Sequence, residues 1–374
     1  MSNGEFASDL KVTREDLDEF NELEPIQEPI TYYSESYDVF GLVSRLERGD
    51  IVIPRVGSSI HNIEVNPFQR GFVWKRSQMD KFIESLLLGY PTPSLFFVYQ
   101  RSDRRLVVLD GQQRLTTLFY YKTGLYKDKK YRLNLSESPF DKLSYDELPE
   151  GYQRYLNNSH LSATVIRVEE TPRSKEAVYN VFARLNSGGT QLTAHEIRMA
   201  LYNGPFMELI DKLNKESDWR SIYGTPLSAR YRDHELILRI LALYSDLPNY
   251  KKPLIHFLND FADKHREDTK NSFSHEVALF QQSSRLLASC DVSLVFSTSN
   301  RKQINAARAD SLMVGIMDCL DNEIRVTSPS IRNAIGELDA TPAYTRAITK
   351  ATSDESQVQS RIKLVIEKLK NAHE

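Results

Sequence analysis

The stretch Leu106-Val107-Val108-Leu109-Asp110-Gly111-Gln112-Gln113-Arg114-Leu115-Thr116-Thr117-Leu118 limits what this chain can fold into more than any other. Four consecutive apolar residues, two of them β-branched, predict a buried strand. Asp110-Gly111 breaks it, because glycine takes backbone angles that other residues resist. Leu115, Leu118 and Phe119 then recur at helical spacing, and Gly124 supplies a stop. Strand, tight glycine turn and helix follow one another without a spacer.

A helix that starts beside such a turn presents unpaired N–H groups and a partial positive charge, the ingredients of an anion site. Arg114 falls in the first turn, where helical side chains lean back toward the N-terminus, so its guanidinium is in reach of the same anion. Gln112 and Gln113 add amide donors, and Thr116 and Thr117 add hydroxyls. Two plainer assignments stand beside this one. Asp110 can serve as an N-cap, accepting from amides two or three residues on. Arg114 can be an ordinary surface residue.

DGQQRLTTL resembles the signature of the GmrSD-type restriction endonuclease N-terminal domain family, a branch of the ParB/sulfiredoxin-like fold. The resemblance implies that Gly111-Gln112-Gln113-Arg114 is the G-x-x-R element by which that fold holds nucleotide phosphates. A second block, Pro67-Phe68-Gln69-Arg70-Gly71-Phe72-Val73-Trp74, resembles the family's P-x-Q-R-x-x-x-W segment and makes Gln69 and Arg70 further phosphate ligands. A third, from Phe182 through Leu185-Asn186-Ser187-Gly188-Gly189 to Leu192, resembles F-x-x-L-N-x-x-G-x-x-L and would set Asn186 beside the ligand. The plainer alternatives are that Gln69-Arg70 tethers its loop and that Asn186 with the glycines only stops a helix. Many family members carry a C-terminal HNH-type nuclease module. No His-Asn-His arrangement occurs in these 374 residues, so a stand-alone member is expected.

Composition narrows the class. At 40% hydrophobic and 26% charged residues, the chain has the make-up of a globular protein. No apolar run of membrane-spanning length occurs, and the acidic N-terminus lacks a signal core, so no membrane partner and a cytoplasmic location are expected. Two cysteines, Cys290 and Cys319, and eight scattered histidines form no C-x-x-C or H-E-x-x-H spacing, which argues against zinc or a disulfide scaffold. The net charge of -3 hides an asymmetry: residues 1–30 carry nine Asp/Glu against two Lys/Arg, leaving +4 for the remainder. That balance permits a nucleotide or nucleic-acid ligand without demanding one.

Three segments are expected along the chain. Residues 1–34 form an acidic, largely disordered leader. Residues 35–204 form a ParB-like mixed α/β domain, with helices over Tyr37 to Glu47 and from Ser77 onward, a strand at Ser94 to Tyr99, a loop-rich excursion over 125–160 and a strand at Thr164 to Val168. Thr193-Ala194-His195-Glu196 has capping-box spacing. Residues 205–374 form a helical domain, with periodic runs at Tyr231 to Tyr244, Leu254 to Lys264, His275 to Ala288, Gln303 to Leu320 and Gln357 to Leu369, and one short strand at Val292 to Phe296. The fold class is α+β. Arg230 and Arg232, at the start of the first long helix, are weaker candidates for completing the pocket.

The functional expectation is a nucleotide-binding, NTP-hydrolysing protein of a prokaryotic restriction or anti-phage system. Asp110 would hold Mg²⁺ or orient the attacking water, because a bare carboxylate repels phosphate unless a cation stands between them. Arg114 would stabilise charge on the phosphates. Alternatives from other classes are a DNA nuclease using the same pocket, and a non-enzymatic nucleotide- or DNA-binding regulator of a separately encoded nuclease effector. A homo-oligomer is the expected assembly.

Overall fold

The computed structural model describes residues 30–53, 74–101, 104–169, 171, 176–178, 180–181, 193–224, 227–228, 231–290, 295–296 and 304–372. These residues fall into two compact units that part between Leu201 and Tyr202. The class is α+β, with the strands in the first unit.

Strand β1 (Thr31–Asp38) runs straight into helix α1 (Val39–Arg48), where the Asp38 carboxylate caps the Gly41 N–H at 2.7 Å. The short β2 (Ile51–Val52) follows. Helix α2 (Arg76–Leu87), β3 (Leu95–Tyr99), β4 (Leu106–Asp110) and helix α3 (Gln112–Thr123) come next in order. A small hairpin of β5 (Leu125–Tyr126) and β6 (Lys129–Lys130) leads to α4 (Glu150–Asn158), β7 (His160–Arg167) and α5 (Ala194–Leu201). The sheet order is β1-β7-β3-β4-β2, antiparallel at β1/β7 and β3/β4 and parallel at β7/β3 and β4/β2.

The placement of β4 explains its unbroken apolar run. Leu106 and Val108 join a core shared with α1, α2 and α3, whereas Val107 and Leu109 are buried outside that cluster, and α5 packs on this strand. A strand covered on both faces has no use for alternation.

One expectation needs correction here. Thr31 to Ser34, assigned to the disordered leader, belong to β1 and pair residue by residue with β7. An edge strand that buries only Tyr37 carries no apolar alternation, so its formation rests on backbone pairing with a strand far along the chain. The 125–160 excursion is loop-rich up to α4, as expected, but its apolar residues are not at the surface. Tyr131, Leu133, Leu135, Phe140, Leu148 and Leu156 are all buried in the main core, and main-chain bonds from Leu133 to Leu143 and from Lys142 back to Leu133 brace them. Helix α2 starts one residue before the expected cap, with Gln78 Oε1 accepting from the Lys75 N–H.

The second unit is helical: α6 (Pro205–Asn214), α7 (Ser217–Tyr223), α8 (Arg232–Asp246), α9 (Leu254–Lys264), α10 (Ser274–Ala288), α11 (Ala306–Asp321), α12 (Ser328–Asp339), α13 (Pro342–Ala347) and α14 (Glu355–Asn371). Among the described residues no strand element follows Leu201. Of the strand expected at Val292 to Phe296, only Val295 and Phe296 are described, and they form a buried turn. Helix α11 is buried on nearly every side, and Gly315 lets it approach α14 so closely that a Cβ there would lie 2.5 Å from Val365.

Two buried charge clusters brace this unit. Asp310 accepts from Arg239 Nε at 2.6 Å and from Arg361 Nε and Nη2 at 2.8 Å each. His234 lies between carboxylates, with Nδ1 2.9 Å from Asp233 and Nε2 3.1 Å from Asp211. Asp233 also accepts from Asn214 and Arg220, and Asn214 accepts from the Trp219 indole.

Candidate functional site

The site is built where β4 ends. Asp110 is the last residue of that strand, opposite Phe96 of β3, and the β3/β4 register shifts between Phe96 and Phe97. Gly111 follows with φ +95°, and a Cβ at this position would stand 2.3 Å from Leu95 Cδ2. Glycine is demanded twice over, by the backbone angle and by the close approach. It is Gly111, and not Asp110, that occupies the N-cap of α3, and no side chain caps the first turn. Asp110 is still strand at that point, one residue too early to cap.

The residues that follow divide sharply. The Asp110 side chain is 59% exposed and Gln112 is half-buried, so both remain at the open end of the turn. Gln113, Arg114, Thr116 and Thr117 are buried. Thr117 Oγ1 donates to the Gln113 carbonyl at 2.7 Å. The Thr116 and Thr117 side chains thus sit in the packed body of α3 and not at its mouth.

Arg114 turns inward. Nη1 donates to the Pro93 carbonyl, and Nη2 donates to the Ser94 carbonyl at 3.1 Å and to Asp110 Oδ2 at 3.0 Å. Burial lowers its pKa, with the Asp110 carboxylate opposing that shift. In this arrangement Arg114 clamps the loop before β3 onto the turn and fixes one oxygen of Asp110.

Gln113 has a role that sequence reading missed. Its Oε1 accepts from the Trp74 main-chain N–H at 3.2 Å, which ties the end of the second motif to the first turn of α3. Trp74 in turn packs edge-on to Phe82 of α2, with ring centroids 5.6 Å apart. Two signature blocks that are distant in sequence therefore meet. Gln69, Arg70 and Asn186 lie outside the described residues, as does Arg230. Arg232, the other candidate from the helical segment, is the first residue of α8. The helix after the third block is α5, and its expected capping box is present: the Thr193 N–H donates to Glu196 at 2.7 Å and the Glu196 N–H to Thr193 Oγ1 at 3.3 Å.

Residues 54–203 match the family model of the GmrSD restriction endonuclease, N-terminal domain. This segment is a GmrSD N-terminal domain. The match spans the Trp74 segment, the DGQQR turn and α5, the three parts that meet on or beside β4. It makes the chain a component of a restriction or defence system. No curated protein shows a significant match to the chain.

For a divalent cation, the described residues offer a limited donor set. No group of three or more His, Cys, Asp or Glu side chains among them is arranged to hold a metal ion. One exposed carboxylate beside the start of α3 suits the way Mg²⁺ is commonly held, through one or two carboxylates together with substrate phosphates and water. No helix among the described residues is long and apolar enough to cross a membrane.

Proposed function

We propose that this GmrSD N-terminal domain binds a nucleoside triphosphate at the DGQQR turn and hydrolyses it in the course of restriction. The observation that carries the reading is the pairing of an α-helix start left without a side-chain cap and an exposed carboxylate two residues before it. The first-turn amides of α3 and the Gln112 side chain would meet the phosphates, helped by the helix dipole. Asp110 would hold the attacking water or be the protein ligand of Mg²⁺. The cation, when bound, neutralises charge between that carboxylate and the phosphates. Arg114 belongs to the site as a positioning residue: it holds Asp110 Oδ2 and the Pro93-Ser94 main chain. Gly111 permits the backbone to approach.

Phosphate release from a panel of nucleoside triphosphates with Mg²⁺, with and without DNA, tests the reading on wild type and Asp110→Asn. Turnover in the wild type that Asp110→Asn abolishes, while nucleotide binding survives, is the expected result. Equal turnover in both proteins, or none with any nucleotide, overturns it.

A further inference from the structure

From the hairpin of β5 and β6 we infer a second binding surface on this domain, one that grips the phosphate backbone of duplex DNA. The inference stands apart from the nucleotide reading, since it needs neither Asp110 nor the helix start of α3.

Charge density comes first. Between Lys122 and Arg132 the chain places five Lys/Arg and a single Asp. Lys127, Asp128, Lys129 and Lys130 are all exposed. Glu147 is the only carboxylate that pairs with this group among the described residues, and it is shared between Lys130 and Arg132. Lys127 and Lys129 have no carboxylate partner among those residues; Lys127 Nζ lies 5.5 Å from the Tyr126 ring centroid.

The turn itself argues that these charges are kept for something other than folding. Tyr126 pairs with Lys129, so Lys127-Asp128 is a two-residue loop, and its residues have φ +51° and +58°. A hairpin of this type is best made by Asn-Gly, which accepts left-handed angles with least strain. A lysine here sits at a disfavoured angle, at the tip of a hairpin with two residues per strand that pairs with no other strand. Its ammonium group meets the fold through the Tyr126 ring and makes no ion pair among the described residues.

The aromatic residues of the hairpin set the mode of contact. Tyr126 and Tyr131 pack on each other, on Tyr120 and Tyr121, and under the Arg76 guanidinium, which lies 3.7 Å from the Tyr131 centroid. Rings engaged in this way are not available as base-stacking platforms. What remains outward is a set of flexible ammonium groups, suited to phosphates and indifferent to sequence. Arg76 is paired with the buried Asp80 and adds no free charge, whereas the exposed Lys75 precedes it next to Trp74, which is bonded to Gln113 at the DGQQR turn.

Fluorescence anisotropy with a short mixed-sequence DNA duplex, without nucleotide or Mg²⁺, tests this. The proteins are wild type, the double variant Lys127→Glu/Lys129→Glu, and a control with the same charge change on exposed lysines of the helical unit, Lys251→Glu/Lys350→Glu. Two phosphate contacts make wild-type affinity fall about tenfold more between 50 and 200 mM salt than that of the hairpin variant. The control variant keeps wild-type affinity. Lys127→Asn separates contact from folding: it suits the left-handed turn, so it melts no earlier than wild type, yet binds more weakly. The proposal is overturned if wild type does not bind the duplex, if both double variants weaken equally, or if Lys127→Asn binds as wild type does.

Discussion

Arg114 Nη2 lies 3.0 Å from Asp110 Oδ2, and the same guanidinium donates to the main-chain carbonyls of Pro93 and Ser94. A residue spaced to meet an external anion is thus occupied in holding the turn together. The acid it holds remains open to solvent. The exposed acid and the buried clamp are separated across one turn of helix.

Arg114→Ala should therefore act first on stability. It removes the charged donor that holds the Pro93 and Ser94 carbonyls and the Asp110 carboxylate, at a cost of roughly 1.5–3 kcal/mol. Thermal melting should show a fall of several degrees, and Arg114→Lys should recover little, because an ammonium cannot span three acceptors as the planar fork does. A variant that melts like wild type would show that the clamp contributes nothing.

Gly111→Ala combines two penalties: an alanine at φ +95° and a methyl 2.3 Å from Leu95. Strain and overpacking together should cost roughly 2–4 kcal/mol. Leu95→Ala in the same chain removes the clash but not the backbone strain. The double variant should be more stable than the sum of the single effects, and strict additivity in a double-mutant cycle would contradict the geometry.

The His234 cluster gives the helical unit a pH signature. Burial opposes its protonation, but hydrogen bonds and charge from Asp211 and Asp233 outweigh that, and the His234 pKa is raised. Burial likewise opposes ionisation of the two carboxylates, whose bonds to His234, to Lys215 (for Asp211) and to Asn214 (for Asp233) nevertheless lower their pKa values. A raised histidine pKa stabilises fully below the unfolded value of about 6.5 and is lost as pH climbs through the folded one. The depressed carboxylates stabilise above about 3.9 and lose that effect as pH falls through their folded values. Stability should peak between these limits. Urea melts followed by Trp219 emission, in a Trp74→Phe background, should show a decline on the alkaline side that His234→Gln removes. An unchanged slope in that variant would rule the cluster out as its source.

Asp310 accepts from two buried arginines, so Asp310→Ala should destabilise by about 3–5 kcal/mol by removing the carboxylate that both share. Replacing the whole set, Asp310→Leu with Arg239→Met and Arg361→Met, should restore much of the loss, since well-packed apolar groups often match a buried ion network. Denaturant midpoints of the two proteins compare directly.

The sequence alone determined those features that depend on local spacing. The apolar run at Leu106 to Leu109, the break at Gly111, the helix after it and the capping box of Thr193 and Glu196 follow from backbone preference and periodicity, and the structure contains each. Leu254 to Lys264 was readable to the residue. Tertiary structure decided what needed a distant partner. Strand β1 exists because β7 pairs with it, the apolar residues Tyr131, Leu133, Leu135, Phe140, Leu148 and Leu156 are core because α1, α2 and α3 leave a surface for them, and Gln113 faces Trp74 because two chain segments cross there. Arg114 is the clearest instance. Its position in the first turn put it within reach of either an anion or its own neighbours, and the Pro93 and Ser94 carbonyls, brought close only when β3 pairs with β4, are what turned it inward.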